Sequence, residues 1–162
     1  MKVIELTRDQ VAIVDDEDFE RLAQWRWFCG LSQDKKRFYA VRTAKSSDGA
    51  HTPGIRILMH RVILGVKKGV LVDHQNMNGL DNRKQNIRIC TPSQNLSNTT
   101  KRPNCSSVLK GACWDKERQK WLSSIQHDEK TYFLGRFSTE QEAHEAYRVA
   151  AVRLHGAFAR FN

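Results

Sequence analysis

The segment from Val72 to Asn98 combines an Asp-His pair, a run of asparagines and several basic residues in one short, turn-rich stretch. The carboxylate of Asp73 and the imidazole of His74 are adjacent, so together they can hold a divalent metal ion and activate a water molecule. The nearby cations can contact phosphate. These residue types indicate metal-assisted hydrolysis of a phosphate-containing substrate.

The charge of the chain predicts a polyanionic partner. The formal net charge is +9, and residues 58–105 carry eight Lys and Arg against two Asp, which is +6 of that total. A basic surface concentrates nucleic acid by counterion release, although an anionic membrane or a merely solvated basic face are alternatives. No apolar run approaches the roughly 20 residues that span a bilayer. We therefore expect a cytoplasmic protein in a bacterial or phage-infected host cell, with a monomer favoured.

The cysteines do not form a typical metal-binding pattern. Cys29, Cys90, Cys105 and Cys113 contain no C-x-x-C pair, so the spacing of a zinc ribbon is absent. Cys29 lies in an apolar stretch and is expected in the core. A mixed site of Cys90, Cys105 and a histidine is the alternative.

Hydrophobic patterning predicts an α+β fold in four regions. Residues 1–58 are predicted to form a small α+β elaboration, 59–98 the core around the Asp-His pair, 99–106 a linker, and 107–162 a three-stranded antiparallel sheet packed on one helix. In the N-terminal region the predicted elements are a strand at 11–15, a helix at 16–24, a hairpin from 25–28 and 37–42 with Asp34 in its turn, a loop at 45–54, and a strand running into a short helix at 55–64.

The C-terminal region has the clearest local signals. Strands are predicted around 110–114, 120–126 and 130–137. Thr139 followed by Glu142 fits a helix-capping box, and the apolar rhythm that follows continues to Gly156.

The central segment resembles the HNH endonuclease family, in the variant whose last histidine is replaced by asparagine. The matching motifs are Asp73-His74, Asn78-x-x-Asp81-Asn82-Arg83, Gln85-Asn86-Ile87-Arg88 and Thr91-Pro92-Ser93-Gln94-Asn95, preceded by Met59-His60-Arg61. The resemblance implies a ββα-metal core around one Mg²⁺ or Mn²⁺. It implies that His74 is the general base, that Asn86 orients its imidazole, and that Asp73 and Asn95 are the metal ligands.

Other residues of this segment have simpler interpretations. Asn76, Asn78 and Asn82 are predicted turn and cap residues, as asparagine commonly is. His60 is predicted to be structural or to contact phosphate. The basic residues predicted to contact DNA here are Arg61, Arg83, Lys84 and Arg88.

Residues 107–162 resemble the APETALA-type, ethylene-response-factor-like DNA-binding domain that accompanies HNH nucleases of phages and mobile elements. The matching pieces are Lys110-Gly111-x-x-Trp114, Lys120-Trp121, Tyr132-x-Leu134-Gly135-x-Phe137 and Glu142-Ala143-x-x-Ala146-Tyr147-x-x-Ala150-Ala151. The resemblance implies that the sheet lies in the major groove of double-stranded DNA. The predicted DNA contacts are Lys110, Trp114, Lys116, Arg118, Lys120, Trp121 and Arg136, with core packing as the alternative for Trp121.

The sequence therefore predicts a metal-dependent, homing-type DNA endonuclease whose target is selected by its C-terminal domain. A DNA-binding regulator with an inactive nuclease scaffold, and a nuclease that acts on RNA, are the alternatives.

Overall fold

The computed structural model describes most of the chain, namely residues 1–32, 35–44, 54–100 and 106–161. Several predicted features lie outside these residues: Asp34 in the predicted hairpin turn, residues 45–53 of the predicted loop, and residues 101–105 of the predicted linker, which include Cys105. Contacts divide the chain into two compact units, Met1–Cys90 and Thr91–Asn162.

The first unit contains small antiparallel sheets and two short helices. Its elements are β1 Lys2–Glu5, β2 Val11–Val14, α1 Asp16–Ala23, β3 Phe28–Leu31, β4 Phe38–Thr43, β5 Arg56–Leu58, α2 Met59–Leu64, β6 Leu71–His74 and β7 Ile87–Cys90. The predicted strand at 11–15, helix at 16–24 and strand-to-helix passage at 55–64 are confirmed. The second strand of the predicted hairpin is confirmed as β4, but the first strand is Phe28–Leu31, which shares only Phe28 with the predicted run 25–28.

Burial of apolar side chains from every part of this unit holds it together. The core cluster consists of Ala12, Val14, Leu22, Trp27, Ala40, Met59, Ile63 and Ile87. Trp27 donates its indole N–H to the carbonyl of Leu22 at 2.9 Å, which satisfies the polar atom of this buried aromatic. Cys29 is also buried, as the sequence predicts. The guanidinium of Arg42 stacks on Trp25 at 4.6 Å from the ring centroid, so packing within the domain accounts for both tryptophans.

The hairpin of β6 and β7 is fastened to the N-terminal sheet. The backbone N–H of Ile13 donates to the carbonyl of Leu80, and the N–H of Asn82 donates to the carbonyl of Ile13, both at 2.8 Å. The long turn between β6 and β7 therefore pairs with β2. This pairing gives the turn a defined path beside the end of β6.

The second unit consists of a short helix, a three-stranded sheet and a long helix. Its elements are α3 Pro92–Ser97, β8 Ala112–Asp115, β9 Lys120–His127, β10 Lys130–Phe137, α4 Glu140–His155 and a 3-10 turn at Gly156–Phe158. The three strands are antiparallel in the order β10-β9-β8. The predicted strands and helix are confirmed, as is the capping box of Thr139 and Glu142.

The long helix α4 packs against the sheet through small residues and one tyrosine. Tyr147 and Ala151 form a buried cluster with Ile125 of β9. Gly111 has a φ of +83°, and a Cβ atom there would collide with the ring of Tyr147. A side chain at this position would therefore meet both backbone strain and overlap.

Helix α3 belongs to the second unit. The Ser97 hydroxyl lies 3.1 Å from Nδ1 of His155, and the hydroxyl of Ser93 accepts from the backbone N–H of Asp128 at 3.3 Å. The division of the chain thus lies before α3 and not at the predicted linker 99–106. Within the described ranges no helix is both long and apolar enough to cross a membrane.

Candidate active site

Asp73 and His74 are the last two residues of β6, and both are buried. In the antiparallel register with β7, Asp73 pairs with Arg88 and His74 pairs with Ile87. Successive side chains on a strand point to opposite faces. The two residues accordingly contact different partners, although the Asp73 charge still acts on His74.

The carboxylate of Asp73 is bound by the guanidinium of Arg88. Nε and Nη2 of Arg88 donate to the same oxygen, Oδ2, at 3.0 and 2.9 Å. Both side chains are largely shielded from water, which strengthens this charge-assisted contact. Arg88, predicted to contact DNA, is thus held against the predicted metal ligand.

The imidazole of His74 lies against the side-chain amide of Asn82. Nε2 of His74 is 3.4 Å from Oδ1 of Asn82, and Asn82 is 1% exposed. If Nε2 carries the proton and donates to this oxygen, Nδ1 bears the lone pair. Burial lowers the pKa of His74, and the hydrogen bond to Oδ1 of Asn82 opposes this shift. The ring is therefore neutral at neutral pH, as a general base requires.

Asn86 does not take the position predicted for it. Its Oδ1 accepts from the backbone N–H of Asn76 at 2.9 Å, and its Nδ2 donates to the carbonyl of Asp81 at 2.7 Å. Both ends of the amide thus bind the backbone of the turn. The contact with His74 that was predicted for Asn86 is made by Asn82.

His60 lies beside His74 in the interior. Their ring centroids are 4.9 Å apart and nearly perpendicular, and the ring of Tyr39 lies 5.9 Å from His60 and 5.8 Å from His74. Burial, with smaller contributions from His74 and Arg61, lowers the pKa of His60 to about 3. Of the two predicted roles the structural one fits, because this neutral, 6% exposed ring is enclosed by the domain.

The turn after His74 is built from side-chain hydrogen bonds. Oδ1 of Asn76 accepts from the N–H of Asn78 at 2.8 Å, and Oδ1 of Asn78 accepts from the N–H of Leu80 at 3.1 Å. These asparagines are turn residues, as the sequence predicts. Asp81, 1% exposed, accepts from Asn76 and from Arg83, whose guanidinium holds the pKa of this carboxyl below its usual value.

The basic residues predicted to contact DNA in this unit are engaged within the chain. Arg61 donates to the backbone carbonyls of Val70 and Lys67. Arg83 pairs with Asp81, and Lys84 pairs with Glu17 and Asp18. Each of these cations therefore has an acceptor within the chain, as Arg88 has in Asp73, and their contacts with DNA stay predictions.

The donors predicted for a divalent cation are oxygen atoms, which suit Mg²⁺ or Mn²⁺. Asp73 supplies a carboxylate in the first unit, where Arg88 already binds Oδ2. Asn95 lies on α3 in the second unit, with an exposed side chain. Among the described residues no group of three or more His, Cys, Asp or Glu side chains could hold a metal ion. Asp73 fits as one anchoring ligand that a cation would share with Arg88 or take from it.

Two viral proteins are similar to the chain. Protein 3.8 of Escherichia phage T7 is 35% identical over 97 residues, which cover 59% of this chain and 78% of that protein. The chain belongs to the family of T7 protein 3.8. An uncharacterized HNH endonuclease of Acanthamoeba polyphaga mimivirus is 26% identical over 152 residues, or 93% of this chain and 74% of that protein. No family model and no solved structure matches the chain.

In this member of the T7 protein 3.8 family, the predicted DNA contacts of the second unit lie on two sides of its sheet. Ser123 and Ile125 of β9 are buried under α4, so by alternation Trp121 and its cross-strand partner Trp114 lie on that side as well. Their rings are 5.1 Å apart. Both tryptophans are half-buried and neither belongs to the buried cluster of Ile125, Tyr147 and Ala151. Their contacts with DNA stay predictions, with core packing as the alternative for Trp121.

Lys110 also points inward. Its Nζ donates to the carbonyls of Ser97 at 3.2 Å and Thr99 at 2.6 Å, and burial lowers its pKa to about 8. The predicted DNA contact is corrected because the ammonium group binds the C-terminal end of α3. This is favourable, since the last carbonyls of a helix have no partners within it.

The remaining predicted contacts of this unit are exposed. Lys120 and Arg136 lie on the sheet face opposite α4, and Lys116 and Arg118 lie in the turn between β8 and β9. Arg136 donates to Asp115 at 2.9 Å and lies over the ring of Phe133 at 5.1 Å. These four cations remain predicted DNA contacts. The resemblance of this unit to APETALA-type domains likewise stays a prediction.

Three residues of the candidate site were not predicted from the sequence. Asn82 contacts the imidazole, Tyr39 packs on both histidines, and Asp81 anchors the turn. Asn82 lies within the quoted motif, so the available signal was the Asp-Asn-Arg triplet itself. Tyr39 is distant in the sequence and no local pattern marks it.

Proposed function

We propose that this protein is a metal-dependent DNA endonuclease of the HNH type. The observation that carries the proposal is the buried, neutral imidazole of His74, which Asn82 orients and on which the charge of the preceding residue, Asp73, acts. The similarity to a viral protein named HNH endonuclease over most of the chain supports it.

In this proposal His74 removes the proton from the attacking water. The hydrogen bond of Nε2 to Asn82 directs the lone pair of Nδ1 towards the nucleophile. The T-shaped contact with His60 and the ring of Tyr39 limit the rotation of the imidazole. The water then attacks phosphorus, and the bond from phosphorus to the leaving oxygen breaks.

Asp73 and Asn95 would hold the divalent cation. When bound, this cation stabilises negative charge on the phosphate and on the leaving oxygen. Because the protein would supply few ligands, DNA and water oxygens complete the shell. Metal binding in the absence of DNA is then weak, and Arg88 weakens it further by binding the same carboxylate.

The second unit would bring the enzyme to its target. Lys116, Arg118, Lys120 and Arg136 offer an exposed basic surface suited to double-stranded DNA. We infer homing-type cleavage at a site selected by this unit, in a phage-infected cell.

Cleavage of supercoiled plasmid and of the DNA flanking its own gene, in Mg²⁺ or Mn²⁺ and in EDTA, tests the proposal. We expect metal-dependent products, and His74→Ala should lower the rate by about 10²- to 10⁴-fold without weakening DNA binding. His144→Ala, which changes a histidine of the second unit, is the matched control. If the wild-type protein binds these DNAs and leaves them uncut, the proposed endonuclease activity is refuted.

One observation favours a second candidate, a DNA-binding regulator built on an inactive nuclease scaffold. Arg88 neutralises Asp73, the carboxylate that a metal would need. This candidate predicts binding of DNA without metal-dependent cleavage.

Matched DNA and RNA substrates would further separate a DNA endonuclease from a nuclease that acts on RNA.

A further inference from the structure

A groove of about 420 Å³ lies in the first unit, beside the turn that follows His74. One wall is formed by Lys36, Arg37 and Phe38 at the start of β4, and another by the turn Met77–Leu80. Asp9 also borders it. Apart from Asn78, which belongs to the HNH-like motif, these residues lie outside the motifs that suggest hydrolysis, and none of them was predicted to contact DNA.

The two walls are held together by close backbone contact. A Cβ atom on Gly79 would collide with the carbonyl oxygen of Phe38 and with the ring of Tyr39, so only glycine permits this approach. The same Tyr39 ring lies 5.8 Å from His74. The groove is therefore placed next to the proposed general base by rigid packing.

Arg37 is the basic residue best placed to serve this groove. It is exposed, and within the described part of the chain its guanidinium makes no ion pair. It directly precedes β4 and lines the groove together with Phe38. Its positive charge acts on the imidazole of His74.

This arrangement differs from that of the other cations near the site. Arg61, Arg83, Lys84 and Arg88 are bound to carbonyls or carboxylates of the chain itself. A guanidinium without such a partner retains its full capacity for two parallel hydrogen bonds to phosphate oxygens. The exposed ring of Phe38 beside it offers an apolar surface for a sugar.

We propose that this groove binds the DNA backbone beside the cleaved bond and that Arg37 contacts a phosphate there. The proposal rests on the proposed function, since it assigns a DNA strand to the vicinity of His74. It adds a binding surface in the N-terminal part of the chain, which neither the HNH-like motifs nor the C-terminal sheet contains.

Full-length wild type, Arg37→Gln and Arg26→Gln test the groove. Arg26 is the matched control because it is an exposed arginine of the same unit that does not line the groove. Binding to a fluorescein-labelled DNA duplex of mixed sequence is measured by anisotropy in EDTA over a range of salt concentrations. We expect Arg37→Gln to raise the Kd roughly tenfold and to lower the salt slope by about 0.9, with a much smaller effect of Arg26→Gln.

A second variant controls for folding differences. In the same anisotropy assay in EDTA, Arg37→Lys should recover most of the affinity lost in Arg37→Gln, because the charge remains although the two-pronged geometry is lost. Equal Kd values and salt slopes for Arg37→Gln and Arg26→Gln would overturn the proposal that the groove binds DNA, even if the wild type cleaves DNA. A selective binding loss in Arg37→Gln would support the groove even if the wild type does not cut.

Discussion

Arg88 donates two hydrogen bonds to a single oxygen of Asp73, across the antiparallel pair at the end of β6 and β7. The proposed metal ligand therefore already has a cationic partner within the chain. Binding of a divalent cation must either share the carboxylate with this guanidinium or displace it. A phosphate that attracts Arg88 would release the carboxylate, which couples metal binding to DNA binding.

Arg88→Gln should strengthen metal binding in the absence of DNA. We expect the affinity of the variant for Mn²⁺, measured by electron paramagnetic resonance, to rise roughly tenfold because the competing charge is gone. The free energy of unfolding should fall by about 1–3 kcal/mol in urea denaturation, since Asp73 loses its charged donor. Arg83→Gln, which removes the ion pair with Asp81, is the control and should leave Mn²⁺ affinity unchanged. Equal Mn²⁺ affinities of wild type and Arg88→Gln would contradict the competition.

Asn82→Ala should change the pH dependence of cleavage. The hydrogen bond that His74 donates to Asn82 raises the pKa of His74, against the larger lowering by burial. Without it the pKa falls further, so the acidic limb of kcat/KM moves to lower pH. The rate on the plateau should drop by roughly 10- to 100-fold because the ring loses its orienting partner.

Asn86→Ala is the matched comparison for Asn82→Ala. It removes two bonds to the backbone of the turn, so we expect a loss of about 1–3 kcal/mol in the free energy of unfolding. The acidic limb of the pH profile of kcat/KM should lie at the same pH as in the wild type. A shift of the limb in Asn86→Ala and none in Asn82→Ala would restore the assignment predicted from the sequence.

His60 should make the first unit sensitive to acid. Its pKa in the folded chain is about 3, whereas an unfolded histidine titrates near 6.5. Between these values only the unfolded chain binds the proton, so stability is complete above pH 6.5 and is lost as pH falls towards 3. Within that pH range, His60→Phe should remove a decrease in the free energy of unfolding of about 1.4 kcal/mol per pH unit. Urea denaturation at several pH values measures the free energy of unfolding of the wild type and of His60→Phe. If this free energy depends on pH in the same way in both proteins, His60 is protonated in the folded chain as readily as in the unfolded chain.

Lys110 and Lys120 should respond differently to replacement by methionine. Lys120 is exposed on the outer face of the sheet, and its loss should lower the salt slope of DNA binding by about 0.9. Lys110 binds the carbonyls of Ser97 and Thr99, so its loss should instead lower the free energy of unfolding by about 1–3 kcal/mol. Salt titrations and thermal denaturation of both variants separate these roles. A reduced salt slope in Lys110→Met would return this residue to the DNA interface.

Elements with local signals were predictable from the sequence. The capping box of Thr139 and Glu142, followed by helical periodicity, predicted α4 to within one residue of its start. Alternating hydrophobic segments predicted β8, β9 and β10, and the apolar run before Gly65 predicted the passage from β5 to α2. These signals depend on residues only a few positions apart, which is why they can be recognised without a fold.

The sequence by itself determined the α+β character and placed Asp73 and His74 together, because they are covalent neighbours. Only the tertiary structure decided their partners. Asn82 contacts His74 because the turn that contains Asn82 pairs with β2. Asn86 instead binds the backbone of that turn with both its amide oxygen and its amide nitrogen. Arg37 lines one groove with the turn after His74 because Gly79 packs against β4. Such partners depend on pairings between distant strands, and residue type alone does not specify which of several asparagines or arginines they bring to the site.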